Sequence, residues 1–177
     1  PVVSEAGRLV MPIFGYVLAY NLARPELGKD GMARVARRLL IYGVLATPVY
    51  VALRTDLMQR LYTDQAPEIL WLPLNILFTL LLATLIITLI QRRQQAWLIV
   101  AAAGFAWGGP FVEYAWFGLA FVLVSWYHCR QGSLLSAAML FLAALGLFAP
   151  NDNLYALLAL PLLLLASRFS VRVSRWP

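Results

Sequence analysis

Apolar stretches of near-membrane length, separated by short clusters of charge, constrain this chain more than any other feature. Seven can be traced: Gly7 to Ala23, Leu39 to Leu53, Ile69 to Ile90, Ala96 to Gly109, Phe111 to Tyr127, Leu134 to Phe148 and Leu154 to Ala166. A helix needs about 20 residues to cross a hydrocarbon core of about 30 Å. The shorter stretches fit tilted spans, a locally thinned bilayer or a helix broken inside the protein. Hydrophobic residues make up 62% of the 177 and charged residues 12%. A soluble domain of this size leaves about a third of its potential surface facing water, and so little polar surface could not cover it. Long alternating strands are missing, which argues against a barrel. The expectation is an all-α fold, a polytopic transmembrane helical bundle with about seven membrane segments forming a single domain over residues 1–177.

Charge sets an orientation. If the segment from Arg24 to Arg38 is cytoplasmic, strict alternation also puts Arg92, Arg93, Arg130, Arg168, Arg172 and Arg175 inside. The opposite face keeps Arg8, Arg54 and Arg60 but collects Glu5, Asp56, Asp64, Glu68, Glu113 and Asp152. This is the positive-inside pattern, and it predicts a multi-pass membrane protein with the lipid bilayer as its first partner. Topology therefore accounts for the net charge of +6 and the pI near 9.9 without a nucleic-acid partner. The single cysteine, Cys129, excludes an intramolecular disulfide, and no cluster has the spacing of a metal site. Pro1 to Gly7 shows no basic region ahead of an apolar run, so no signal peptide is expected there. The predicted topology puts that end outside; a helix upstream of Pro1 or removal of an initiator Met before proline would each be compatible with it.

An ionisable or strongly polar group inside a membrane protein is costly, so it marks a candidate site. Glu113 follows the helix-breaking run Gly108-Gly109-Pro110. Its bland alternative is a carboxylate solvated at the outer interface. Arg8 closes the outer end of the first stretch and could equally snorkel to headgroups. Asn75 and Thr79, four apart, share one helical face, a spacing that also serves as interhelical glue. His128 is the only histidine and sits at the inner boundary, where a catalytic base and an ordinary interfacial residue are both open readings. Arg34, Arg37 and Arg38 could grip phosphates, although positive-inside sorting explains them too. No phosphate-binding glycine loop, serine elbow or paired-histidine helix is present.

Four blocks go further. Gly7-Arg8-Leu9-Val10-Met11-Pro12-Ile13-Phe14, then Arg37-Arg38-Leu39-Leu40-Ile41-Tyr42, then Leu74-Asn75-Ile76-Leu77-Phe78-Thr79-Leu80, and finally Glu113-Tyr114-Ala115-Trp116-Phe117-Gly118-Leu119 resemble, in order and rough spacing, the TraX family. The resemblance implies a membrane acetyltransferase that moves an acetyl group from acetyl-CoA to an amine, such as the N-terminus of a conjugative pilin. It implies Glu113, Arg8 and Asn75 as the catalytic centre, and Arg34, Arg37 and Arg38 as the residues that meet the coenzyme phosphates. Met11 departs from the residue that often precedes the Pro-x-Phe. Family members commonly open with a helix carrying an Asp-His pair, which has no counterpart from Pro1 onward; its histidine would be the natural base. A non-catalytic membrane assembly factor or small transporter component, using the same polar residues for helix association or an ion path, is the rival reading.

Overall fold

The computed structural model describes residues 9–61, 72–151 and 155–161. Among them every extended element is helical: α1 (Val10–Ala23), a 3-10 turn (Pro25–Leu27), α2 (Gly28–Leu61), α3 (Ile76–Gln91), α4 (Gln95–Gly108), a second 3-10 turn (Gly109–Phe111), α5 (Ala115–Gln131), α6 (Leu134–Gly146), the short α7 (Phe148–Asn151) and a third 3-10 turn (Tyr155–Leu158). The fold is all-α. Of these, Pro25–Thr55 alone among the described residues is long and apolar enough to cross a membrane by length and composition. Val10–Ala23, Ile76–Gln91 and Leu134–Pro150 are apolar but shorter. The predicted stretch Leu154 to Ala166 lies only partly within the described residues, which take in 155–161 of it.

Two boundaries differ from the sequence expectation, each for a local reason. The basic stretch before Leu39, outside the predicted apolar stretches, is helical from Gly28 onward and continuous with the apolar part of α2. Ala33, Ala36 and the arginines are good helix formers, Asp30 sits in the first turn where the helix dipole favours an acid, and neither Gly nor Pro lies between Met32 and Leu39. Pro48 lies inside the same helix without ending it. At the other boundary, Gly109-Pro110-Phe111 forms a 3-10 turn and Tyr114 takes a left-handed backbone (φ 64°), which delays α5 to Ala115.

α5 is the central helix. It packs most extensively on α1, also on α6, and on α3, which in turn lies against α2 and α4. Met11, Ala19 and Leu22 of α1, Leu80, Ala83 and Ile87 of α3, and Leu119 and Val122 of α5 form the main buried cluster. Phe121 of α5 packs from the other side with Leu140, Ala144 and Leu147. Small residues let the axes approach. A Cβ on Gly118 would stand 2.7 Å from the Tyr114 Cβ, 2.8 Å from Met11 Cε and 3.3 Å from Thr79 Cγ2, so this position of α5 is where α1 and α3 meet it.

Candidate functional site

α3 begins at a cluster of polar groups. Asn75 is its N-cap: the side-chain Oδ1 accepts from the Leu77 N–H at 3.1 Å, meeting one of the donors that a helix start leaves unpaired. The same amide turns its Nδ2 to α2, donating to the Gly43 carbonyl at 3.0 Å and the Thr47 hydroxyl at 3.3 Å. A Cβ at Gly43 would meet the Phe78 ring at 3.1 Å, so the glycine keeps α3 close to this carbonyl without displacing the ring. Asn75 is 4% exposed, so its bonds replace water.

The turn between α4 and α5 folds onto this start. Leu74 donates its N–H to the Phe111 carbonyl and Glu113 returns its own N–H to the Leu74 carbonyl, each at 2.8 Å, making a single parallel bridge between Leu74 and Val112. The Thr79 hydroxyl donates to the Glu113 carbonyl at 2.5 Å. The Glu113 carboxylate accepts from the Ile76 N–H, the first free donor of α3, and it feels the positive charge of Arg54. A negative charge at a helix start is also favoured by the helix dipole.

α2 supplies the cationic wall. Arg54 donates to the Leu72 carbonyl at 2.7 Å and to the Pro73 carbonyl at 3.4 Å, beside the cis Leu72–Pro73 peptide. Tyr50 hydrogen-bonds Arg54 and lies within electrostatic reach of Glu113. Gly43, Thr47, Tyr50 and Arg54 recur at three- and four-residue steps, so one face of α2 presents them all to α3. The result is a carboxylate, a guanidinium, a phenol and a carboxamide gathered where three elements meet. Such a set can hold a polar ligand and orient a proton.

The structure therefore brings Asn75, Thr79 and Glu113 together. Arg8, expected in one catalytic centre with Glu113 and Asn75, lies outside the described residues. Arg34, Arg37 and Arg38 are exposed on the first turns of α2, away from this cluster. Tyr50 and Arg54 were not singled out in the sequence; the helical spacing from Gly43 to Arg54 is the signal that could have found them.

At the other end of the bundle the C-termini of α1, α3 and α5 and the start of α2 enclose a cavity of about 940 Å³. Arg24, Lys29, Arg93 and Arg130 line it together with Trp126 and Cys129, and among the described residues no carboxylate lines it. Arg24 pairs with Glu26 at 3.6 Å on the exposed rim. Arg130 lies over the Trp126 ring, 5.1 Å from its centroid. His128 donates to or accepts from the Ser136 hydroxyl at 2.9 Å, tying α5 to α6 rather than facing the Glu113 cluster.

These features define an all-helical protein with a segment able to cross a membrane and two polar sites at opposite ends of one central helix. The TraX family model, described as TraX protein, matches residues 1–176, and the chain belongs to that family. At the level of the family, membership supports a role related to pilin acetylation in conjugation. No curated protein and no solved structure matches the chain.

Proposed function

We propose that the chain is a multi-pass inner-membrane acetyltransferase that transfers the acetyl group of acetyl-CoA to an amine, with the N-terminus of a conjugative pilin as the acceptor. The family match over residues 1–176 is the observation that carries this reading. The cluster at the start of α3 supports it, because acyl transfer needs an oriented neutral amine and a stabilised oxyanion. The amine nitrogen attacks the thioester carbonyl, a C–N bond forms, the C–S bond breaks, the coenzyme leaves as its thiolate and the amine proton passes to a general base. Glu113 orients the amine. Arg54 carries positive charge toward the developing oxyanion, a role the family resemblance also gives Arg8, and Asn75 fixes the start of α3 on which the site is built. Arg34, Arg37 and Arg38 draw the anionic coenzyme from the cytoplasm.

One observation favours the second reading, a non-catalytic assembly factor. Asn75 and Glu113 both have structural duties at the start of α3, which would retain them without chemistry. The test is the mass of pilin co-expressed with the protein. It should rise by one acetyl group only when the protein is present, and Glu113→Gln, which keeps an acceptor for the Ile76 N–H, should abolish the gain while membrane insertion persists. Full acetylation by Glu113→Gln removes the proposed role of that residue; unmodified pilin beside membrane-inserted native protein supports the assembly factor.

A further inference from the structure

We propose that the basic cavity lined by Arg24, Lys29, Arg93 and Arg130 is a binding site for the phosphate groups of a nucleotide, namely the anionic end of the acyl donor's coenzyme. The inference rests on the acetyltransferase reading and assigns that reading a site distinct from the exposed face of Arg34, Arg37 and Arg38.

Positive-inside sorting explains why cations collect at one end of a bundle, but not why four of them converge on one concavity. They come from distant parts of the chain: Arg24 after α1, Lys29 in the first turn of α2, Arg93 after α3 and Arg130 near the end of α5. Among the described residues only Arg24 of the four has a carboxylate partner, at 3.6 Å on the rim. Holding like charges around one space is unfavourable unless an anion enters it. The size suits a nucleotide, since ligand pockets run from about 300 to 1,000 Å³ and this one has about 940 Å³.

A second observation points the same way. Trp126 lines the cavity and is 7% exposed, yet its buried indole N–H has no hydrogen-bond partner among the described residues. A buried donor left unpaired is costly, and a phosphate oxygen would satisfy it. The guanidinium of Arg130 over the same ring brings a cation to that spot. Phosphate chemistry is shared by nucleotides and by anionic lipid headgroups, and the experiment separates them.

Cys129 lines the cavity and is the only thiol, so the native chain reports on occupancy. Purified protein in nanodiscs is treated with a maleimide while 3′-phosphoadenosine 5′-diphosphate, the nucleotide half of coenzyme A, is titrated in. At ten times its dissociation constant the nucleotide should slow alkylation about tenfold, as expected for occlusion by a single-site ligand. Arg93→Ala and Arg130→Ala should each raise the half-protecting concentration about tenfold, as loss of a charge-assisted contact does. Trp126→Phe should raise it less, and Arg92→Ala, which removes an equal charge outside the lining, should leave it unchanged. Acetyl-CoA binding by calorimetry without protection of Cys129, or equal effects of Arg92→Ala and Arg93→Ala, overturns the cavity assignment and leaves the acetyltransferase reading standing. Nucleotide protection with the expected variants, in a protein that acetylates no amine, keeps the cavity and sinks that reading. Protection that follows phosphatidylglycerol in the disc and ignores the nucleotide assigns the cavity to a lipid headgroup and overturns the proposal.

Discussion

Asn75 does two things with one amide, and they can be separated. Its oxygen caps α3 and its nitrogen ties α3 to α2 through the Gly43 carbonyl. Serine at this position keeps a capping oxygen but is too short to reach α2. Asn75→Ser should therefore lose about 1 kcal/mol, the net worth of one hydrogen bond. Asn75→Ala should lose about 1 kcal/mol more, the worth of the cap. Thermal unfolding in detergent measures both, and equal melting of the two variants would show that the cap contributes nothing. Asn75 and Glu113 could be singled out in the sequence because a polar side chain amid Leu74 and Ile76, or beside a Gly-Gly-Pro break, stands out against an apolar background. Arg54 could not. It was one of several charges near the end of a span, and nothing in the order of residues says that Arg54 reaches the Leu72 and Pro73 carbonyls.

At the scale of elements, the sequence shows where helices exist better than where they start. The apolar stretches from Leu134 to Phe148 and from Ala96 to Gly109 coincide closely with α6 and α4. α2 does not end where its apolar part ends, because hydropathy reports solvent whereas helix continuation depends on the backbone and its breakers. α3 starts at Ile76 rather than near Ile69 because Pro73 and the Asn75 cap fix its first turn. The contact of α1 and α3 with α5 at Gly118 was likewise hidden, since a glycine inside a helix looks like a cost until its neighbours are known. Gly118→Ala should reduce the yield of folded protein in size-exclusion chromatography and lower its melting temperature. Gly104→Ala is the comparison: its nearest neighbour would be Ile86 at 3.8 Å, so the methyl group fits and helix propensity should raise stability by up to about 1 kcal/mol. Equal behaviour of the two variants would mean that α5 tolerates wider spacing than the packing implies.

For the whole molecule, the charge alternation read from the sequence has a geometric counterpart: Arg24, Lys29, Arg93 and Arg130 meet at one end, while Glu113 and Asn75 meet at the other. Which end faces the cytoplasm is an orientation in a bilayer, and arginine asymmetry is its only indicator. In intact cells a membrane-impermeant thiol reagent should leave Cys129 unlabelled until the membrane is opened, whereas Asn151→Cys, in a chain whose Cys129 is replaced by serine, should label at once. Labelling of Cys129 from outside reverses the orientation. The central helix has a further consequence. α5 has 17 residues, a rise of about 25 Å at 1.5 Å per residue, and it separates the Glu113 turn from the cavity beside Arg130. On the proposed chemistry it would act as a ruler for donors. A molecule anchored by its phosphates at one end can react at the other only if its activated carbonyl rides on an arm of comparable length. A compact acyl phosphate would fill the anchor and never reach the acceptor, so the selection would be made by reach and not by the acyl group itself.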